Sequence, residues 1–135
     1  MSVPAARLAA QAKVNLALRV GPRRPDGYHE LATIFARIEL ADDVVVRVLR
    51  TGVAVTVRRG GAPDESVGPP ERNLALRAAY AYMSETQWPT GCAIDIEKRI
   101  PVGAGLGGWC AGAAAVLRAL ESLSPSPLGI ARLTR

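Results

Sequence analysis

The stretch Pro101–Gly112, which reads PVGAGLGGWCAG, decides how this chain is interpreted. It holds five glycines in twelve residues and lies between an alternating strand pattern and a helical pattern. Glycine permits tight turns and lets phosphate oxygens approach backbone N–H groups that a Cβ would shield. At a helix N-terminus those N–H groups are unpaired and carry about half a positive charge. The stretch therefore predicts an anion-binding loop that leads into a helix.

Other glycine motifs fit this stretch less well. Residues 103–108 match G-x-G-x-x-G, but the strand and acidic residue that should follow in a dinucleotide-binding unit are not found. A Walker A loop requires Gly-Lys-Ser/Thr, and the last lysine of the sequence is Lys98. A protein-kinase glycine loop requires a hairpin strand where this sequence predicts a helix. Glycines that serve only close packing between strand and helix are the alternative that stays open.

Strand patterns dominate the first part of the sequence. Val14–Val20 (VNLALRV) alternates between apolar and other residues, which predicts a half-buried strand with Lys13 and Asn15 sharing its other face. Turn residues at Pro22–Gly27 lead into a second apolar stretch, Leu31–Leu40. These features predict two neighbouring strands.

Further strands follow from the β-branched runs. Val44–Leu49 and Val53–Arg58 flank Thr51-Gly52, which predicts a hairpin. Ile94 and Ile96 alternate with charged residues and predict a strand that buries these two side chains.

Helical patterns dominate the second part. Asn73 is a predicted N-cap for a helix that runs to about Ser84, and apolar spacing predicts a second helix from Cys110 to Ser122. Ser126-Pro127 has the composition of an N-cap followed by proline at the first helical position, which predicts a third helix. A run of mostly antiparallel strands followed by helices predicts an α+β fold.

Composition limits the class of protein. A chain of 135 residues is one domain of ordinary size. The two cysteines, Cys92 and Cys110, are interpreted as reduced thiols, and a single His29 gives no metal-ligand spacing, so no metal site is expected. No secretion signal or membrane span is found, because the uncharged run Ile100–Leu117 contains proline and five glycines. We therefore expect a cytoplasmic protein without a membrane partner.

The charge pattern does not favour a nucleic-acid partner. The net charge of +5 and pI near 9.9 are compatible with nucleic acid or with a small polyanion. The basic residues are scattered, however, and few aromatic residues lie between them. A basic RNA-binding domain is accordingly kept as the less favoured alternative.

Four separated stretches occur together in the order and approximate spacing of a known family. They are Ala12–Leu16 (AKVNL), Arg24–Leu31 (RPDGYHEL), Arg72–Leu74 (RNL) and Lys98–Gly108 (KRIPVGAGLGG). The set resembles the N-terminal half of the 4-diphosphocytidyl-2-C-methyl-D-erythritol kinases, a family of the GHMP kinase superfamily. The glycine loop is shared by that superfamily, whereas the Lys-x-Asn strand joined to Asp-Gly-Tyr-His points to this family. The resemblance covers nearly the whole chain and implies a ribosomal protein S5 domain 2-like fold, with a mostly antiparallel sheet and helices packed on it.

The resemblance also implies a reaction and a set of roles. It implies an ATP-dependent kinase, with Mg²⁺, that phosphorylates the 2-hydroxyl of 4-diphosphocytidyl-2-C-methyl-D-erythritol in non-mevalonate isoprenoid precursor biosynthesis. Lys13 would be catalytic, beside the attacking hydroxyl, where a cation stabilises developing negative charge. Asn15 would contact the substrate, and Tyr28 and His29 would hold its cytosine ring by stacking and hydrogen bonding. Without the resemblance, Lys13 would be interpreted as an exposed strand lysine and Tyr28-His29 as a surface loop with a packed ring.

The ATP site implied by the resemblance is the loop itself. Its residues are Pro101, Val102, Gly103, Ala104, Gly105, Leu106, Gly107, Gly108, Trp109, Cys110 and Ala111.

The sequence departs from the family pattern after Gly108. The family reads L-G-G-G-S-[AS]-[DN]-A-A, whereas this chain has Trp109, Cys110 and Gly112 in place of a glycine, a hydroxyl residue and a polar residue. An indole would compete for phosphate space, and a thiol is a poor replacement for a hydroxyl near phosphate and Mg²⁺. Glycine in the helix costs up to about 1 kcal/mol relative to alanine. We therefore expect weakened phosphate binding.

A second departure concerns the catalytic base. The resemblance implies an aspartate in a Gly-Ala-Asp segment after the helix that begins at Pro127, and then a second domain. We expect residues 1–135 to be a truncated ATP-binding N-terminal GHMP kinase domain with the C-terminal GHMP domain absent. A complementing chain that carries the C-terminal half is then a possible partner. A nucleotide-binding module without catalysis is the alternative function.

Overall fold

A mixed sheet of five strands forms the framework of the chain, whose structure is a computed structural model describing residues 3–134. The strands are β1 (Ala5–Arg23), β2 (His29–Leu49), β3 (Gly52–Arg59), β4 (Ala62–Pro63) and β5 (Gly91–Glu97). The helices are α1 (Leu74–Thr86), α2 (Gly108–Leu123) and α3 (Ile130–Leu133), and short 3₁₀ turns span Glu65–Val67 and Pro70–Arg72. The sheet order is β1-β2-β5-β3-β4, and the pairs are antiparallel except for β3–β5. The predicted α+β class is confirmed.

β5 lies between β2 and β3, so the hairpin predicted at Thr51-Gly52 is wrong. The turn is present, but β2 and β3 each pair with β5 instead of with each other. Gly91, the first residue of β5, lies against the connection between them, where a Cβ would come within 2.5 Å of the Thr51 carbonyl carbon. No real Cβ tolerates such a distance. A glycine at this position therefore lets β5 enter beside the turn.

The core lies between the sheet and the two long helices. Strand β5 contributes Ile94 and Ile96, which are 0% and 3% exposed, as its alternating pattern predicts. The side chain of Asn73 accepts a hydrogen bond of 2.8 Å from the Ala75 N–H and caps α1, as predicted. α1 ends at Thr86, two residues beyond the expected end. The core cluster also contains Ala10, Val44, Val46, Ala75, Ala79, Tyr82, Cys92, Ala115, Val116, Ala119 and Leu120.

The distal part of the β1–β2 pair is exposed. All residues from Asn15 to Phe35 except Gly21 are exposed, and we call residues 16–35 the arm. Leu18 and Leu31 are 54% and 63% exposed. The prediction that this strand is half-buried is therefore wrong, although its strand conformation is right. The alternation identified a β-strand, but the helices do not cover this part of it.

The chain after α2 differs from the expectation. No helix begins at Ser126-Pro127, and α3 starts after Gly129 instead. The Gly129 N–H donates a hydrogen bond of 2.6 Å to Glu121 Oε1, which holds the connecting segment against α2. None of the helices within residues 3–134 has the length and hydropathy that crossing a lipid bilayer requires.

Candidate functional site

The glycine stretch forms an exposed loop between β5 and α2. Gly103, Gly105 and Gly107 have φ values of 75°, 73° and 68°, in the region that side chains disfavour. Gly107 is the residue before α2 and provides no side chain to cap it. The first intrahelical bond runs from the Ala111 N–H to the Gly107 carbonyl, at 2.9 Å. The N–H groups of the first helical turn therefore point out of the helix beside the loop, as the sequence predicts.

Lys13 of β1 lies directly against this loop. Its backbone N–H donates to the Leu106 carbonyl at 3.0 Å, and its Nζ donates to the Gly105 carbonyl at 3.3 Å. A Cβ on Gly107 would lie 3.1 Å from the Lys13 Cε. Glycine at 107 therefore serves both the left-handed turn and the close approach of the lysine stem.

Two concave surfaces flank the loop. The first, which we call the cationic groove, has a volume of about 510 Å³ and lies between the β1–β2 pair and α2. Its cationic lining residues are Lys13, Arg37 and Arg118, and no carboxylate lines it within residues 3–134. The second, which we call the loop pocket, has a volume of about 340 Å³. It is lined by residues 101–110 together with Leu74 and Lys98.

A buried ion pair beneath the loop was missed by the sequence interpretation. Lys98 Nζ lies 2.5 Å from Asp42 Oδ2, and the two side chains are each 1% exposed. Asp42 Oδ1 accepts hydrogen bonds from the backbone N–H groups of Arg99 and Ile100, at 2.7 and 2.9 Å. The only sequence signal was an acidic residue beside the apolar run of β2. Its partner lies 56 positions away, so no local spacing could reveal it.

The residues that depart from the family pattern have different surroundings. The ring of Trp109 lies under Lys98, with the ammonium 4.5 Å from the ring centroid, and lines the loop pocket. Cys110 is exposed at the edge of both concave surfaces. Gly112 is buried within α2, and a Cβ there would meet nothing within 4 Å. Cys92 is also a free thiol, whose pKa is raised because it is buried in the core.

The predicted substrate-binding residues are divided between the two ends of the arm. Asn15 lies two residues from Lys13, and its Oδ1 accepts a hydrogen bond of 3.2 Å from the Thr33 hydroxyl. Tyr28 is 71% exposed at the far end, where His29 Nδ1 lies 3.0 Å from the Gly21 carbonyl oxygen. With a rise of about 3.3 Å per strand residue, roughly 30 Å of strand separates this end from Lys13. The structure therefore places Lys13 at the loop, with Asn15 two residues further along β1, and leaves Tyr28 and His29 apart from them.

Known proteins share this fold and this loop. Residues 73–135 match the family model described as the GHMP kinases N-terminal domain. The chain is 46% identical to 4-diphosphocytidyl-2-C-methyl-D-erythritol kinase of Thermus thermophilus over 126 residues, which is 93% of this chain and 42% of that protein. It is 47% identical to the protein of the same name from Geobacter metallireducens, over 93% of this chain and 43% of that protein.

Solved structures give the same result. A crystal structure of 4-(cytidine 5'-diphospho)-2C-methyl-D-erythritol kinase matches with a TM-score of 0.77 and 44% identity, over 96% of this chain and 45% of that one. Homoserine kinase from Cytophaga hutchinsonii matches with a TM-score of 0.69 at 21% identity, over 98% of this chain and 39% of that one, which shows the shared fold alone.

The fold and the loop that follows β5 define a GHMP kinase N-terminal domain, as the resemblance in the sequence implied. Within that class, the chain matches the N-terminal part of proteins named 4-diphosphocytidyl-2-C-methyl-D-erythritol kinase. It spans about two fifths of the length of the curated relatives, 42% in the Thermus thermophilus protein.

Proposed function

We propose that residues 1–135 are the ATP-binding domain of a kinase that phosphorylates the 2-hydroxyl of 4-diphosphocytidyl-2-C-methyl-D-erythritol, in the cytoplasm, for isoprenoid precursor synthesis. One observation carries the proposal: the ammonium of Lys13 lies 3.3 Å from the Gly105 carbonyl oxygen, beside the N-terminus of α2. The names of the 44–48% identical relatives supply the substrate.

The loop has the chemistry that phosphate binding requires. N–H groups of the first turn of α2 and the positive end of its dipole attract an anion, and the glycines leave room for phosphate oxygens. Phosphoryl transfer depends mainly on positioning and on stabilising charge that spreads over the transferred group. We assign that stabilising role to Lys13, whose ammonium is held at the loop by a carbonyl oxygen, in a groove that no carboxylate lines within residues 3–134.

The arm supplies the proposed binding site for the other end of the substrate. Tyr28 is exposed and available for stacking on a cytosine ring, and His29, whose Nδ1 lies against the Gly21 carbonyl oxygen, has a second ring nitrogen that can hydrogen-bond to the substrate. Asn15 lies between them and the loop. A substrate that bridges the two ends must be long, or the arm must bend toward the groove when the substrate binds.

The described residues do not fit a dedicated Mg²⁺ site. Mg²⁺ prefers oxygen ligands and is commonly held through carboxylates and substrate phosphates. No carboxylate lines the cationic groove or the loop pocket within residues 3–134. We therefore assign no Mg²⁺ ligand and no step that depends on Mg²⁺ to this part of the chain.

The lack of a carboxylate in these two concave surfaces within residues 3–134 also favours a second candidate function, nucleotide binding without phosphoryl transfer. A kinase needs a group that accepts the proton of the attacking hydroxyl. No carboxylate lines the groove beside Lys13 in the part of the chain that the structure describes. Catalysis then requires residues such as those in the remaining length of the relatives, provided in the same polypeptide or by a complementing chain.

Calorimetric titration with ATP tests the binding part of this proposal. We expect ATP to bind, and Lys13→Met to weaken the affinity about tenfold because an ammonium beside the phosphates is lost. Arg19→Met removes a cation from the arm of the same strand and serves as the control, with no change expected. Absence of any heat with ATP would contradict both candidate functions.

A transfer assay separates the two candidates. Radiolabelled ATP and 4-diphosphocytidyl-2-C-methyl-D-erythritol are incubated with the chain, alone and with the separately produced C-terminal part of the Thermus thermophilus relative. Product that depends on both polypeptides supports the kinase. ATP binding without product in either mixture supports the binding module.

A further inference from the structure

Trp109 contacts the buried ion pair that lies beneath the loop. We propose that Asp42, Lys98 and Trp109 form a latch that holds the two ends of the glycine loop together, with Trp109 acting as a positioning residue. The consequence for nucleotide affinity rests on the proposed function, whereas the consequence for loop order does not.

The first half of the latch fixes the start of the loop. Asp42 lies on β2 and is 1% exposed, and Lys98 directly follows β5 and is 2% exposed. Besides the 2.5 Å contact with Lys98, the Asp42 carboxylate accepts the N–H groups of Arg99 and Ile100. A buried carboxylate with this many donors is held firmly, because removing any of them leaves charge without compensation. The three residues before Pro101 are therefore attached to the neighbouring strand.

The second half fixes the end of the loop. Trp109 is the second residue of α2, and its ring centroid lies 4.5 Å from the same Lys98 ammonium. Attraction between a desolvated ammonium and an indole face is stronger than at an exposed site. A Cβ on Gly108 would lie 3.0 Å from that ammonium, so the backbone at this point also approaches it closely. One ammonium thus contacts groups on both sides of the loop.

Fixing both ends matters because the loop between them is exposed and rich in glycine. Residues 101–105 are exposed, and three glycines of the loop have positive φ. Glycine-rich segments lose the most conformational freedom on ordering, so a ligand that orders them binds less tightly. A latch that orders the loop before the ligand binds reduces the conformational freedom that is lost on binding.

The latch and the blocking of phosphate space make opposite predictions for removal of the indole. If Trp109 orders the loop, Trp109→Ala weakens nucleotide binding. If the indole occupies phosphate space, Trp109→Ala strengthens it. Trp109→Phe keeps an aromatic face against Lys98, so it should retain most of the nucleotide affinity of the parent if the latch operates.

Hydrogen exchange of the loop amides, measured without any nucleotide, tests the latch by itself. We expect amides of residues 102–108 to exchange at least fivefold faster in Trp109→Ala than in the parent, with Trp109→Phe close to the parent. Tyr80→Ala removes an exposed aromatic ring from α1 and is the control, with no change in the loop. Equal exchange in Trp109→Ala and the parent overturns the latch, whether or not ATP binds.

ATP affinity of the same variants tests the consequence for binding. We expect Trp109→Ala to weaken ATP binding about tenfold and Trp109→Phe to weaken it less than threefold. Tighter binding by Trp109→Ala overturns the proposal in favour of blocked phosphate space. If the parent binds no ATP, the proposed function fails while the exchange result still decides the latch.

Discussion

Gly91 and Gly112 are both buried, but a methyl group would meet opposite surroundings at the two positions. At Gly91 it would lie 2.5–2.8 Å from three backbone atoms of Thr51 and Gly52, which cannot rotate away. At Gly112, within α2, it would meet nothing within 4 Å. Gly91 is therefore a position where the surrounding atoms require glycine. Gly112 is a position where glycine only costs helix stability.

We predict that Gly91→Ala lowers the free energy of unfolding by about 3 kcal/mol or more, because β5 must move away from the turn that it lies against. Gly112→Ala should raise it by about 0.5–1 kcal/mol, because alanine is the better helix former and fits the space. Urea denaturation of both variants beside the parent measures the two changes. A similar effect at the two positions would contradict the placement of β5.

Lys13 and Lys98 show what the sequence could and could not provide at this scale. The role expected for Lys13 followed from the resemblance, and the structure places it against the loop. Lys98 was given no role beyond its place at the start of the stretch Lys98–Gly108, but it is buried with Asp42. Whether a lysine is exposed or paired depends on a strand that is distant in sequence, and local spacing does not contain that information.

At the scale of elements, Glu121 joins three segments. Its Oε2 accepts the Tyr82 hydroxyl of α1 at 2.7 Å, and its Oε1 accepts the Gly129 N–H before α3 at 2.6 Å. Burial raises the pKa of this carboxyl, but hydrogen bonds from Tyr82, Gly129 and Leu128 outweigh it and lower the pKa below its ordinary value of 4.5. The pKa of Tyr82 is raised by burial and by the hydrogen bond to Glu121.

Because the pKa of Glu121 is lower in the folded state, folding favours the ionised carboxylate. Its stabilisation is therefore complete at neutral pH and is lost as the pH falls below about 4.5 toward the folded-state pKa. We predict that Glu121→Gln lowers the free energy of unfolding by about 1 kcal/mol at pH 7, and that the difference from the parent shrinks near pH 3.5.

Denaturation of the parent and Glu121→Gln at both pH values measures this difference. Glu71→Gln, at an exposed glutamate before α1, provides the control for the loss of one carboxylate. If the difference in free energy of unfolding between the parent and Glu121→Gln were larger at pH 3.5 than at pH 7, the folded state would favour the protonated carboxyl, contrary to this prediction.

Some of the predicted elements are confirmed and others are wrong, and the difference has a physical reason. The Asn73 cap and the Ile94–Ile96 alternation depend on neighbouring residues, and both predictions are confirmed. The hairpin at Thr51-Gly52 was wrong because adjacent strands with a turn usually pair, and only the later strand β5 displaces that pairing.

At the scale of the whole molecule, the chain divides into a packed body and an exposed arm. Leu120 in α2 is 0% exposed, whereas Leu18 in the arm is 54% exposed. The alternating pattern of Val14–Val20 is the same as that of a half-buried strand, so the sequence could not show that the helices stop short of it. The fold class depends on the body and was predicted correctly.

The same substitution should therefore have different effects in the two regions. We predict that Leu120→Ala lowers the free energy of unfolding by about 2–5 kcal/mol, because it leaves a cavity in the core. Leu18→Ala should change it by less than about 0.5 kcal/mol, because little contact is lost. Thermal or urea unfolding measures both, and a comparable loss at Leu18 would mean that another part of the protein covers the arm.

The position of β5 in the middle of the sheet has a consequence for synthesis on the ribosome. β2 and β3 emerge early, yet the strand that satisfies their facing hydrogen-bonding groups ends at Glu97. Until that residue has left the exit tunnel, the nascent chain presents two open strand edges, which are the usual templates for misassembly. Slow translation or poor chaperone access between the emergence of β3 and that of β5 should therefore lower the yield of folded protein.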